Sequence, residues 1–107
     1  MKILILLSTI LLFGACATTP TMKSVAGVYI IGRYNLTFLE NGIARSADGY
    51  EKKWKIVDGE IHLQKDDNMI TVSRINPDGS ISYIANIRDG KRKDRTIDNI
   101  ETYKKIK

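Results

Sequence analysis

The chain has 107 residues, one cysteine, one histidine and a formal net charge of +5. That length leaves room for one small domain, and a lone cysteine excludes an internal disulfide or a multi-thiolate metal site. A domain of this size buries only slightly more than the ~60% of surface expected for 60 residues, so a large internal ligand cavity is hard to accommodate.

The N-terminus opens with Lys2, then the apolar run Ile3 to Phe13, then Gly14-Ala15-Cys16. A charged start, a short apolar stretch and small residues before a cleavage point read as a secretory signal. A membrane-spanning helix needs about 20 apolar residues. This run has eleven, with Ser8 and Thr9 inside it. A buried free thiol is the other role open to a lone cysteine. Residues 3 to 13, however, show no polar face and lead into the breaker-rich Thr18-Thr19-Pro20-Thr21. The segment resembles a bacterial lipoprotein signal peptide, with Phe13-Gly14-Ala15-Cys16 as its lipobox. The resemblance implies that Cys16 becomes the mature N-terminus and carries a thioether-linked diacylglycerol with a further N-acyl chain. Two or more chains anchor stably, because each buried methylene contributes about 0.8 kcal/mol. Ala17 in place of an aspartate favours the outer membrane if the envelope is Gram-negative. The expected organisation is a signal peptide over 1–15, an acylated tether over 16–24 and one β domain over 25–107.

From Val25 onward the sequence reads as all-β. Asn41-Gly42, Asp48-Gly49, Asp58-Gly59, Asp78-Gly79 and Asp89-Gly90 are hairpin signals, since Gly, Asn and Asp tolerate positive φ. Between them apolar residues recur with period two, which turns one face toward a core. Tyr50, Lys52, Trp54 and Ile56 share one face. Ile61 and Leu63 oppose His62, and Ile81, Tyr83, Ala85 and Ile87 alternate with Ser80, Ser82, Ile84 and Asn86. The predicted strands are Val25–Arg33, Asn35–Glu40, Ile43–Ala47, Glu51–Val57, Glu60–Lys65, Met69–Asn76 and Ser80–Arg88. Connections this short force antiparallel neighbours. The expected architecture is an up-and-down meander of 7–8 strands, curled into a small barrel or bent sheet that limits exposed edges. At the C-terminus, Ile97, Ile100 and Tyr103 fit a short amphipathic helix, whereas Thr102 to Ile106 fit a closing strand. The strand is favoured because it covers an edge.

Four segments carry a family resemblance: Val25-Ala-Gly-Val-Tyr29, Leu36-Thr-Phe-Leu-Glu-Asn-Gly42, Trp54-Lys-Ile-Val-Asp-Gly-Glu-Ile-His-Leu63 and Asn76-Pro-Asp-Gly-Ser-Ile81. Together they resemble small lipocalin-like bacterial lipoproteins over residues 25 to 88. The resemblance implies a β-barrel fold. It assigns no functional residue, because the matching positions are structural.

Charge is unevenly spread. Cys16 to Ile87 holds eight Lys/Arg against eight Asp/Glu, and Arg88 to Lys107 holds eight against four. Arg88, Lys91, Arg92, Lys93 and Arg95 form the densest basic cluster. They are either a solvated hairpin loop or a contact for an anionic surface, since basic residues near a bilayer contribute about 1 kcal/mol each. Nucleic acid is not an expected partner: the export signal directs the domain out of the cytoplasm, and no recognition motif accompanies the basic residues. Catalysis has little to work with. His62 has no identifiable partner for base chemistry, no G-x-S-x-G or H-E-x-x-H motif occurs, and Asp66-Asp67-Asn68 reads as a turn. No cofactor or metal is expected. The expected function is non-catalytic binding to another macromolecule of the cell envelope by a protein held on the membrane through its acyl chains. The alternative is small apolar-ligand binding in the lipocalin-like interior.

Overall fold

The computed structural model describes residues 19–107, so the expected signal segment and Cys16 lie outside the described residues. The first element among the described residues is a single helical turn, α1 (Met22–Val25). Thr21 caps it in a reciprocal capping box: its hydroxyl accepts from the Ser24 N–H at 3.0 Å, and the Ser24 hydroxyl accepts from the Thr21 N–H at 2.9 Å. Val25 is buried in the core and Met22 packs against it. Thr21 and α1 are therefore part of the packed domain, inside the stretch expected to be tether, and Val25 ends a helix rather than starting a strand.

Nine strands follow: β1 (Gly27–Ile31), β2 (Tyr34–Phe38), β3 (Ile43–Ser46), β4 (Glu51–Val57), β5 (Glu60–Asp66), β6 (Met69–Ile75), β7 (Ile81–Arg88), β8 (Lys91–Asp94) and β9 (Glu101–Lys105). All pairings are antiparallel. β1 to β7 pair in sequence, β7 pairs with β9, and β9 returns to β1, which closes an eight-stranded barrel. The closing strand expected at the C-terminus is β9. A 3-10 turn at Ile97–Asn99 takes up part of the helical spacing seen in the sequence.

β8 is absent from the strands expected from the sequence. It pairs with the second half of β7, Ala85 to Arg88, while β9 pairs with the first half, Ile81 to Tyr83. β8 and β9 thus lie end to end along one edge of β7, and residues 95–100 form an excursion between them. All four β8 residues are exposed and charged, which suits an edge strand that must not recruit another chain.

The hairpin signals are structural. Asp58-Gly59 and Asp89-Gly90 each place both central residues at positive φ, the arrangement whose twist matches paired strands. Gly27 has a different reason. Its φ is +151°, and a Cβ there would stand 2.3 Å from the Lys107 carbonyl oxygen, so β1 and the C-terminus can approach only over a bare backbone.

Tyr29, Phe38 and Trp54 form the centre of the core. Tyr29 and Phe38 meet edge-on at 5.5 Å, and Phe38 and Trp54 at 4.9 Å. Trp54 is only 3% exposed, and its indole N–H donates to the Leu39 carbonyl at 2.9 Å. The Tyr29 hydroxyl donates to the Val25 carbonyl at 2.6 Å, tying the first strand to α1. Burial pushes the Tyr29 hydroxyl pKa up.

Strand alternation fixes the two ends of the barrel. α1, the turns after β2, β4 and β6, and the C-terminus lie at one end, called the near end. The turns after β1, β3, β5 and β7 lie at the far end.

Candidate binding mouth at the far end

The near end is partly covered, with a cavity of about 620 Å³ left beside α1 and lined by Val25, Tyr29, Ile75 and Lys105. α1 sits across this end, and Lys105 reaches over to donate from Nζ to the Ser24 carbonyl at 3.1 Å. The far end is open. Strands that carry apolar residues inward through the core end there in polar residues on the same face. On β4 the inward series runs from Trp54 back to Lys52, and on β5 it runs from Ile61 and Leu63 to Lys65. Lys52 and Lys65 line the same recess at this end. Ladder pairing between β4 and β5 covers only Trp54 to Val57, so the strands part before reaching the two lysines.

The resulting mouth has a volume of about 250 Å³. Its floor is Leu36, Ala44 and Leu63, and Tyr34, Tyr50, Lys52 and Lys65 stand on its walls. Below it the barrel interior keeps a cavity of only about 70 Å³, which shares Tyr34, Leu36, Leu63 and Lys65 with the mouth. Tyr34 packs edge-on against Tyr103 at 6.1 Å. Burial raises the Tyr103 hydroxyl to about 12, with Glu101 adding to the shift, so it stays a neutral donor at any physiological pH. Tyr50 is 67% exposed although it continues the Trp54 face, because it lies past the end of β4 where nothing covers it.

One carboxylate lines the mouth. Asp48 accepts from the Ser46 hydroxyl, and that hydrogen bond holds its pKa below the ordinary carboxylate value. Among the described residues, the ion pairs are Arg45–Glu51, Arg92–Glu60 and Arg92–Asp94. Neither Lys52 nor Lys65 belongs to one.

The basic cluster expected from the sequence lies around the β7–β8 turn, also toward the far end. Its members are not equivalent. Arg92 is held by Glu60 through Nη1 at 2.8 Å and Nη2 at 3.2 Å, and by Asp94 at 2.9 Å. Glu60 lies on β5, so this pair spans β6 and β7. Val72 and Ala85 on the spanned strands face outward with His62 and are fully buried. The Arg92 hydrogen bonds hold the Glu60 pKa below the ordinary value. The Arg95 guanidinium stacks 4.1 Å over the Tyr83 ring and donates to the Asn99 carbonyl, and Arg88 contacts the Met69 sulfur. Arg88, Lys91 and Lys93 are the exposed members without an ion pair among the described residues.

His62 faces outward, opposite Ile61 and Leu63 as the alternation requires. With Lys53, Lys55 and Gln64 it lines an outer groove of about 340 Å³. Partial burial lowers its pKa. Asp66-Asp67-Asn68 is a turn, closed by the Asn68 N–H donating to the Asp66 carboxylate. Among the described residues no cluster of three or more His, Cys, Asp or Glu could hold a metal ion.

Sequence reading does not single out Tyr34, Tyr50, Lys52 and Lys65 as a group. The available signal is a lysine on the same alternating face as a tryptophan, which marks where an inward face leaves the core. Ile97, 85% exposed on the excursion between β8 and β9, carries no such signal. No protein-family model, curated protein or solved structure matches this chain.

Proposed function

We propose that this protein is a lipid-anchored lipoprotein of the bacterial cell envelope that acts by non-catalytic binding to another envelope macromolecule. Cys16 is its lipid attachment site. The observation that carries the reading is the opposition of the two ends. Only residues 17–20 separate Cys16 from Thr21, a span of at most ~18 Å at 3.3–3.6 Å per residue. The chain enters the domain at the near end, which therefore faces the bilayer. The exposed tyrosines and unpaired lysines of the mouth face away from it.

The near end also carries Lys23, Lys105 and Lys107, within a Debye length of ~8 Å of headgroups when the domain rests on the membrane. Arg88, Lys91 and Lys93 surround the far-end β7–β8 turn, away from the tether, whereas Arg92 reaches Glu60 beside the near-end turn after β4. An anionic surface that meets Lys91 and Lys93 then belongs to the partner rather than to the anchoring bilayer. Tyrosine and arginine at an exposed rim are the residue types that dominate protein contacts. The second reading, binding of a small apolar molecule, has an interior cavity of about 70 Å³ and a near-end cavity of about 620 Å³ to draw on. Ligand pockets are ordinarily ~300–1,000 Å³.

Two measurements test the proposal. Cys16→Ser should abolish incorporation of labelled palmitate and leave an unprocessed precursor; normal processing and labelling in that variant would overturn the anchor. A photo-crosslinker at Tyr50 should give one discrete envelope adduct, and the same group at Ile106 should not. Equal adducts from both ends would overturn the assignment of the far end to the partner.

A further inference from the structure

We infer that the far-end mouth is a carboxylate-binding site that takes an anionic group borne on a short apolar body. Lys52 on β4 and Lys65 on β5 line one recess, with no ion pair to either among the described residues. Like charges gathered at one recess repel, and an anion seated there removes that cost. The ladder pairing of β4 and β5 stops before these lysines. The mouth floor is apolar, formed by Leu36, Ala44 and Leu63, and it continues into the cavity of about 70 Å³ below.

The arrangement therefore has a polarity of its own. The charged rim takes the carboxylate, and the floor takes a few carbons attached to it. Asp48 on the same lining is a counter-element: it repels a second negative charge, so the site prefers a monoanion. Its own charge is engaged by the Ser46 hydroxyl. The carboxylate can come from a free short-chain acid or from an acidic side chain of the envelope partner. The inference rests on the far end being the binding end and is independent of the lipid anchor.

The test uses the purified full-length protein in detergent and isothermal titration. Hexanoate and its neutral isostere hexanamide are compared first, each up to ~20 mM, a range that reaches affinities worth only a few kcal/mol. Hexanoate should bind at least about tenfold more tightly than hexanamide, as expected for charge-assisted hydrogen bonds. Lys52→Gln and Lys65→Gln should each weaken hexanoate by about tenfold or more without moving the thermal melt. Asp48→Asn should tighten it several-fold, a gain that misfolding cannot produce. A capped peptide with one glutamate flanked by leucines, compared with its glutamine version, identifies the source. Preference for the glutamate peptide over hexanoate assigns the site to a partner's acidic side chain, and the reverse order assigns it to a free acid. If hexanoate and hexanamide bind equally, or neither acid binds, or the lysine variants bind as tightly as the parent, the inference falls. A Tyr50 adduct that survives that outcome leaves the far end as a contact surface and removes only its carboxylate chemistry.

Discussion

The two ends of this barrel are built from similar residue types and do opposite things. At the near end, Tyr29 and Trp54 are buried, and each polar atom reaches a backbone carbonyl. At the far end, Tyr34 and Tyr50 continue the same inward-facing series and remain in solvent. The difference lies in the segments that cap the strands. α1 and the C-terminal residues pack over the near-end aromatic rings, beside a cavity of about 620 Å³, whereas the far-end turns leave Tyr34 and Tyr50 uncovered. An aromatic side chain here is a core residue or a surface residue according to the cover above it. Stability should accordingly reside at the near end and binding at the far end.

The largest expected effect is at the near end. Trp54→Ala removes the largest ring of the core and leaves the Leu39 carbonyl without its donor. It should cost about 3–5 kcal/mol, a large share of the ~4–13 kcal/mol expected for some 85 residues. Thermal denaturation of the protein measures this, and an unchanged melting temperature would contradict a stabilising near end outright.

Gly27→Ala should come next. The new methyl meets the Lys107 carbonyl and the Lys105 side chain, and the backbone conformation is one that L-residues rarely adopt. A loss of roughly 1–3 kcal/mol is expected from strained backbone. Rapid amide exchange at Val28 and Ile106, which share the β1 and C-terminal hydrogen bonds, would show that the closure has opened.

The Glu60–Arg92 pair tests the contrast through pH. Its effect is smaller because both partners are partly solvated. Arg92 lowers the Glu60 pKa in the folded protein, so the pair's contribution is fully present above the ordinary glutamate value. It is lost as pH falls below that value through the depressed one. His62, whose neutral form burial favours, works in the same direction: as pH drops through its ordinary range, folding resists its protonation. Glu60→Gln should therefore flatten the acid limb of the stability curve, and an unchanged acid limb would show that the pair contributes nothing to it.

The smallest expected effect is Tyr50→Ala, within about 0.5 kcal/mol on stability. If it destabilises the protein as much as a core change does, the far end is structural after all.

Much of the barrel is legible in the amino-acid order. Period-two alternation locates seven of the nine strands, and the Asp-Gly pairs locate their turns, because side-chain direction and turn conformation are local properties. The placement of Trp54 in the core and of His62 on the outside comes from the same alternation. α1 escapes because Met22 to Val25 is a single turn with no period to detect, specified by the Thr21–Ser24 capping box and by burial of Val25. β8 escapes because Lys91 to Asp94 has no apolar residue at all. Its strand form comes from the type of turn before it and from the free edge of β7.

The mouth is only half legible. Lys52 and Lys65 lie on alternating faces that the sequence alone defines, but their meeting at one recess depends on how β4 and β5 pair. Whether a face is core or mouth depends on how far the neighbouring strands extend and on what closes each end. Likewise Arg92 and Lys93 are adjacent in a uniform basic run, yet one is clamped across two strands and the other is free. Strand positions, turns and the facing of β4 and β5 are written in the chain itself, because neighbours one to four residues away set them. The register shift in the β6–β7 pairing, which leaves Ala85 facing outward although alternation puts it with Ile81 and Tyr83, the covering of each end and the pairing of charges arise only in the folded barrel, because contacts between residues far apart in the chain set them.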